Sequence, residues 1–496
     1  MRVVWRRLLL GLVMLVVACG SGAQEEEPQL SLVPLPASVT RLQNGFTLKA
    51  GDTVTSAEPS VAAQLIHGIE ADTGLELKLG AKGRIRLDLD APQAGTEGYE
   101  LTVDADGARI SAATPEGLFR GAQTFRQLAR VPAIPGVRVS DRPRFAWRGA
   151  MLDVARHFRP VADVKRFVDL MAAYKLNVLH LHLTDDQGWR IAIPGWPGLT
   201  GIGAATEVGG GPGGFYTAAD YREIVRYAQE RFVRVVPEVD VPGHTNAALA
   251  SHPELNCDGV APEPYTGIKV GFSALCPGKA ETARFLNDVL KELAALTPGH
   301  HLHIGGDEVE KLSEREYAQI VELAAQAVTA NGKEVVGWQE AGATVLPAGS
   351  LVQYWQTNGG PEDVERAVAQ GAKVIMSPAS RVYLDMKYDD ATRVGQTWAG
   401  TTEIDDAYDW DPATLIDGIG EDRIEGVEMA LWTETVVTMD DLEHLTFPRL
   451  PAIAEVAWTP QSERSFDAFA ARLAPMATVW DRWGVDYHRS ARITWP

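Results

Sequence analysis

Cysteine is nearly missing from this chain: three in 496 residues leave no basis for a thiolate metal cluster or a disulfide-built scaffold. Positive charge is also in short supply. With 46 Lys and Arg against 66 Asp and Glu the formal net charge is -20, which repels phosphate backbones and anionic lipid headgroups. Nucleic acid and electrostatic membrane docking are therefore disfavoured as partners, and solubility alone accounts for the charge. Long apolar runs are lacking too. The run at residues 8–18 is about half of the roughly 20 residues that a spanning helix needs, so a permanent transmembrane anchor is not expected.

That short run has a different meaning. Arg2, Arg6 and Arg7 precede it, and Cys19, Gly20 and Ser21 follow it, which is the layout of an export signal over residues 1–19. Val16-Val17-Ala18-Cys19 resembles a bacterial lipobox, in which the cysteine is acylated and becomes the new N-terminus. The expectation is a cell-surface lipoprotein anchored at Cys19, with ordinary secretion as the alternative. Residues 20–31, with Glu25 to Glu27, read as a flexible tether. Only Cys257 and Cys276 remain beyond it, and in an oxidising compartment they are expected to pair. Closing that loop contributes about 3 kcal/mol in the chain-entropy model and pins the Pro- and Gly-rich segment 258–271.

From residue 32 to about residue 140, short alternating strands (99–103, 108–112) mix with helical stretches (61–74, 116–129), the pattern of a small α+β domain. Nothing there groups carboxylates, histidines or aromatics, so it reads as support. Beyond Ser140-Asp141-Arg142-Pro143, residues 141–496 carry eight strand-like apolar runs: 149–154, 178–183, 233–238, 302–304, 334–338, 351–354, 374–377 and 427–432. Amphipathic helices at 161–175, 219–231, 280–296 and 313–330 lie between several of them. Eight strands alternating with helices point to a (β/α)8 TIM barrel preceded by the small α+β domain, an α/β fold class.

Barrel enzymes build their sites from the carboxyl ends of the strands. Here those ends carry Arg156, Asp185 with Asp186, Asp240 with His244, Asp307 with Glu308, Trp338, Trp355, Tyr383 with Asp385, and Trp432 with Glu434. Aromatic faces stack on pyranose rings, while carboxylates and Arg bind hydroxyls, so together they describe a sugar site. The richest stretch is His303-Ile304-Gly305-Gly306-Asp307-Glu308, where an apolar strand breaks at two glycines and ends in adjacent carboxylates. Adjacent residues on an extended strand point to opposite faces, so Asp307 and Glu308 are expected to take different roles rather than face one substrate as an acid and nucleophile pair.

These residues resemble glycoside hydrolase family 20, the β-N-acetylhexosaminidases. The likeness runs from about residue 32 to the end. It rests on LDVARHF at 152–158, NVLHLHLTDDQGWR at 177–190, PEVDVPGH at 237–244, HIGGDE at 303–308, Trp338, Tyr383-Leu384-Asp385 and Trp432-Thr433-Glu434, in the family's order. The resemblance implies exo-acting removal of terminal β-linked GlcNAc or GalNAc from amino-sugar oligosaccharides, with retention and with the substrate's own 2-acetamido oxygen as nucleophile. Neither cofactor nor metal is called for. By resemblance Glu308 is the general acid and base, Asp307 accepts the acetamido N–H, and Tyr383 donates to the acetamido oxygen. Asp185 and His244 form a hydrogen-bonded chain to the acid, which has to hold a proton at working pH and so needs burial or a negative neighbour. Trp338, Trp355 and Trp432 wall the pocket, Arg156, Asp240 and Glu434 belong to its substrate contacts, and Asp385 grips the outer hydroxyls.

Two other classes compete. His180-Leu181-His182 and His301-Leu302-His303 each set two imidazoles on one face of a strand, as in a metal-dependent amidohydrolase. Against it, the later strands supply aromatics and carboxylates where further histidine ligands are wanted. A non-catalytic carbohydrate-binding surface lipoprotein explains the aromatics but gives no reason for Glu308, Asp307 and Tyr383 together.

Overall fold

A computed structural model describes residues 30–356 and 360–496. The leader, Cys19 and nearly all of the tether lie outside the described residues. Eight parallel strands close into a barrel. They are β1 (Trp147–Asp153), β2 (Val178–His182), β3 (Arg234–Glu238), β4 (His301–His303), β5 (Glu334–Trp338), β6 (Leu351–Tyr354), β7 (Lys373–Met376) and β8 (Ile424–Leu431). Each of the eight apolar runs read from the sequence is one of them. β8 closes on β1 with Trp147 opposite Gly426 and Leu152 opposite Leu431.

The crossover helices follow their periodicity and caps. Val161–Ala173 starts behind Pro160, Ala218–Gln229 and Glu314–Ala330 begin in capping boxes from Thr217 with Asp220 and from Ser313 with Glu316, and Ala280–Leu296 buries Phe285, Leu286, Val289, Leu290 and Leu293 against the barrel. Each such cap contributes about 1 kcal/mol.

Period-two alternation decides the barrel interior. Toward the amino-terminal mouth, Trp147, Val178, Val236, Val336, Leu351 and Ile375 form a separate apolar plug. One step further along the strands the inward residues turn polar: His180, Glu238, His303, Gln353 and Glu428, all buried. Gly149 makes that layer possible. A Cβ there would lie 2.1 Å from Glu428 Oε2, so only glycine leaves room for the carboxylate.

The preceding domain is a seven-stranded sheet, in the order Ser38–Arg41, Val137–Asp141, Tyr99–Asp104, Gly107–Ala112, Ile85–Asp88, Thr53–Ser56, Lys78–Leu79. Its helices are Pro59–Thr73 and Pro115–Leu128. The second is buried along most of its length, and Arg120 donates from it to Phe232 O at 2.9 Å in the barrel. Lys175 Nζ and Trp458 Nε1 meet Asp141 at 2.9 and 3.0 Å, fixing the last strand of this sheet to the barrel. Among the described residues no helix is long and apolar enough to cross a membrane.

Candidate active site

At the carboxyl ends of the strands the chain folds around a cavity of about 380 Å³. Arg156, Asp307, Glu308, Trp355, Tyr383, Asp385, Trp432 and Glu434 line it, together with Ile268, Val270, Gln356, Gln396 and Trp398. The first eight are residues expected from the sequence; the last five are not.

Past β1 the chain is turned by Asp153, whose Oδ1 accepts the N–H groups of Ala155 and Arg156 at 2.8 and 3.1 Å. This sends Arg156 back across the mouth, with Nη2 2.8 Å from Asp185 Oδ2 and the guanidinium 4.8 Å from the centre of the Trp432 ring. Past β2, Asp185 accepts from His182 Nε2 at 2.8 Å on one oxygen and faces His244 Nδ1 at 3.1 Å with the other. Its carboxyl is held far below the usual range: burial opposes ionisation, but Arg156 and His244 outweigh it. Burial likewise disfavours a charged His244, yet Asp185 and Asp307 outweigh it and raise its pKa well above the histidine range. Its Nε2 lies 3.4 Å from Glu308 Oε2 and 3.7 Å from Asp307 Oδ2.

The turn after β4 corrects one expectation. The strand ends at His303, and Gly305, Gly306 and Glu308 all have positive φ, at 68°, 108° and 54°. The chain is coiled here rather than extended, so Asp307 and Glu308 share one cavity instead of pointing to opposite faces. The two catalytic candidates His244 and Glu308 are among only four non-glycine residues with positive φ in the described chain, a conformation costing about 1–3 kcal/mol that persists where packing enforces it for function. Packing enforces it through Asp240, whose Oδ1 accepts Gly306 N–H at 3.0 Å; a Cβ on Gly305 would sit 1.8 Å from that same oxygen.

Asp240 therefore lies behind the wall. Burial and then repulsion from Asp307 push its pKa well above the carboxylate range, and burial lifts Asp307 to about 6. Asp240 Oδ2 and Asp307 Oδ1 are both buried without a hydrogen-bond partner among the described residues. Two interacting buried carboxyls titrate as a unit, and the more strongly raised of them, Asp240, is the last to give up its proton. A second finding concerns the acid itself: the deeply buried carboxyl is Asp307, while the Glu308 side chain is 34% exposed.

Trp338, expected in the wall, is also behind it. It is 1% exposed, donates its indole N–H to Glu238 at 2.9 Å and supports Trp432 at 5.8 Å between ring centres. Trp355 stacks near-parallel to Tyr383, 6.4 Å apart and 12° from coplanar, and donates its own indole N–H to Glu340 at 3.0 Å. Burial keeps Tyr383 a neutral phenol, its pKa well above 10. Glu340, absent from the expected set, is raised to about 8 by burial and by Asp307, and so braces Trp355 as a neutral acid. Trp398 closes the outer rim, edge-on to Trp355 and Tyr383 at 5.9 and 5.8 Å. A tryptophan inside the Gly- and Thr-rich segment 395–402 was the one signal for it, since such a loop offers little core to fill. Ile268 and Val270, which line the same cavity, come from the loop closed by Cys257–Cys276, whose Cα atoms are 4.9 Å apart.

His180, Glu238 and His303 bring donor atoms within 4.8 Å of one another, as do His244, Asp307 and Glu308. The donor chemistry of the first set does not suit a metal. His180 is engaged on both nitrogens by Glu428 and Glu238, which leaves no lone pair free for an ion.

A parallel barrel whose mouth gathers carboxylates, an arginine and a cage of aromatics is that of a glycoside-processing protein. Comparison with known proteins gives the family: the profile described as "Glycosyl hydrolase family 20, catalytic domain" matches residues 145–319 and 312–461, and "Glycosyl hydrolase family 20, domain 2" matches 29–142. The chain belongs to glycosyl hydrolase family 20. A β-N-acetylhexosaminidase of Cellulomonas fimi is 50% identical over 418 residues, covering 83% of this chain and 84% of that protein. The Streptomyces plicatus N-acetyl-β-hexosaminidase solved with thio-NAglucal superposes with a TM-score of 0.92 at 45% identity, over 95% of this chain and 99% of that one. A mutant of the S. plicatus enzyme, solved with its product GlcNAc, gives 0.92 at 46% identity, over 95% and 98% of the two chains.

Proposed function

We propose that this chain is an exo-acting β-N-acetylhexosaminidase that removes single terminal β-linked GlcNAc or GalNAc residues from amino-sugar oligosaccharides, with retention and through an oxazolinium intermediate. One observation carries the reading. Asp307 Oδ1, both oxygens of Asp385 and Glu434 Oε2 are buried acceptors, and Arg156 Nε a buried donor, without hydrogen-bond partners among the described residues, and all five belong to residues of the same cavity. Orphaned groups of this kind are costly unless a ligand supplies their partners. A pyranose supplies hydroxyls to Asp385, Glu434 and Arg156, and an acetamido N–H to Asp307.

The chemistry follows from that placement. The acetamido oxygen, oriented by the Tyr383 hydroxyl, forms a bond to C1 as the glycosidic C1–O bond breaks, and Glu308 gives its proton to the departing oxygen. Asp307 holds the acetamido N–H and faces the positive charge that develops on the ring so formed. Water then adds at C1, losing a proton to Glu308, and the acetamido group is released with the original configuration restored. Trp355 and Trp432 pack on the apolar faces of the sugar. Beyond Glu308 the apolar rim of Ile268, Val270 and Trp398 suits the next sugar of an oligosaccharide.

The test is hydrolysis of nitrophenyl β-N-acetylglucosaminide beside the matching glucoside, with and without a chelator. Chelator-insensitive cleavage of the acetamido sugar alone is expected; equal cleavage of both would overturn the acetamido mechanism, and cleavage of neither would favour a binding protein.

We also propose that the protein is exported and anchored through acylated Cys19, a reading supported by the arginines and apolar run of residues 2–18 and by the Cys257–Cys276 bond. Labelled palmitate incorporated by the parent and lost in Cys19→Ala supports it; a mature N-terminus downstream of Cys19 sinks the anchor.

A further inference from the structure

The polar layer inside the barrel has no role in the mechanism above, yet it leads to it. Glu428 Oε1 meets His180 Nδ1 at 2.8 Å, and His180 Nε2 meets Glu238 Oε2 at 2.9 Å. The same Glu238 oxygen faces His182 Nδ1 at 2.5 Å, and His182 Nε2 faces Asp185 Oδ2 at 2.8 Å. Asp185 Oδ1 then meets His244 Nδ1 at 3.1 Å, and His244 Nε2 ends 3.4 Å from Glu308 Oε2. Acid and base alternate along the whole ladder, and every member before Glu308 is at most 3% exposed.

We infer that His182 is a positioning residue for the proton-donating step, fixing Asp185 and through it His244 against Glu308, with Glu238 and His180 holding it in that task. The inference rests on the reading of Glu308 as proton donor. Geometry supports it first. Both ring nitrogens of His182 face carboxylate oxygens, which only accept, so both nitrogens must carry hydrogen and the ring is an imidazolium. Burial disfavours that charge, but Glu238 and Asp185 on its two sides hold the His182 pKa well above the histidine range, and Glu238 and Glu428 raise His180 to about 9 against the same penalty.

The consequence lies at Asp185. Its Oδ2 receives His182 and Arg156 from two directions, which fixes the carboxylate plane and leaves Oδ1 aimed at His244. Without His182 the carboxylate is free to turn toward Arg156, and His244 loses the partner that sets its protonation and its angle to Glu308. No proton needs to travel along the ladder; its fixed charges hold the last imidazolium in place. His182 also touches the pocket wall, edge-on to Trp432 at 4.9 Å. Buried ion pairs stabilise poorly against apolar replacements, so a ladder this long in a barrel core is better accounted for by the acid it orients than by stability.

The experiment compares parent, His182→Gln and Glu308→Gln on two substrates: N,N'-diacetylchitobiose, whose leaving sugar needs a proton, and a dinitrophenyl N-acetylglucosaminide, whose leaving group does not. For His182→Gln, kcat on chitobiose should fall at least about tenfold further than on the dinitrophenyl substrate, with KM and inhibition by GlcNAc unchanged. Glu308→Gln should show the same contrast more strongly. If Glu308→Gln lacks it, the assignment of the acid fails. If Glu308→Gln shows it and His182→Gln is unaffected, or loses both substrates equally, the positioning role is overturned. Should His182→Gln not fold, 15N-histidine spectra of the parent decide: a doubly protonated His182 at pH 7 that responds to GlcNAc binding is expected, and a neutral one refutes the inference.

Discussion

Asp240→Asn isolates the proton that Asp240 holds beside Asp307. The asparagine keeps Oδ1, which accepts Gly306 N–H at 3.0 Å, and so keeps the coiled turn that presents Asp307 and Glu308. It places an amide N–H where the protonated Asp240 carries its hydrogen, next to Asp307, and that amide cannot ionise. If Asp240 is the protonated partner, the change is nearly isosteric and isoelectronic at working pH, and kcat/KM near pH 6 should stay within about threefold of the parent, under roughly 0.7 kcal/mol. The acidic limb of the pH profile should stay in place as well. Asp307 has to be ionised to receive the acetamido N–H and is raised to about 6, so activity in the parent falls as pH drops through that value. Asp240 is already neutral there and lowers the Asp307 pKa rather than raising it, so the amide N–H that replaces its hydrogen should leave the acidic limb within about half a unit of the parent's. Asp240→Ala is the contrast. It leaves Gly306 N–H buried and unpaired at a cost of about 1–3 kcal/mol and should lose activity at every pH. The assay is kcat/KM for nitrophenyl N-acetylglucosaminide from pH 4 to 9. An asparagine variant as damaged as the alanine one, or an acidic limb displaced by more than about one unit, would refute a protonated Asp240 beside Asp307.

Glu340→Gln mimics the neutral acid behind Trp355. Because its pKa is raised by folding, from 4.5 to about 8, the parent loses stability as pH rises between those values; the variant lacks that slope, so its Tm should fall less than the parent's from pH 5 to pH 8. Removing the crosslink with Cys257→Ser and Cys276→Ser together should cost about 3 kcal/mol, read by denaturant unfolding, and should raise KM for oligosaccharides through Ile268 and Val270. Unchanged stability would mean that the loop is held by its other contacts. Trp398→Ala should raise KM for chitobiose two- to tenfold, the equivalent of about 0.5–1.5 kcal/mol of aromatic packing, and leave inhibition by GlcNAc unaltered; equal weakening of both would place Trp398 against the terminal sugar instead.

Periodicity made the barrel legible in the sequence, because buried parallel strands are near-continuous apolar runs and the helices between them carry their own caps. Strand-end chemistry was legible for a related reason: Arg156, Trp355, Tyr383 and Trp432 interrupt apolar patterns where a core would have continued them. Less legible was the depth at which each residue sits. Trp338 and Trp432 occupy equivalent strand ends, yet one braces and the other faces the cavity, a difference set by Glu238 drawing the Trp338 indole inward. The coil at 305–308 was hidden as well, since a pattern of two says nothing about a left-handed turn at Glu308 imposed by Asp240, which meets Gly306 from 66 residues earlier in the chain. Glu340, Gln356, Gln396 and Trp398 lie in connecting segments, where no repeat distinguishes a contact from a spacer.

The cavity is assembled from two kinds of material. Its inner half comes from the strand ends and the turns tied to them, while Ile268 and Val270 come from a loop whose stem is crosslinked between Cys257 and Cys276, and Gln396 and Trp398 from another connecting segment. A crosslinked stem makes the intervening residues an exchangeable cassette. Their sequence can drift, or be replaced by design, while the bond keeps the ends in register with the barrel. Recognition of the leaving portion can thus diversify among descendants of this chain without disturbing the half that performs the chemistry.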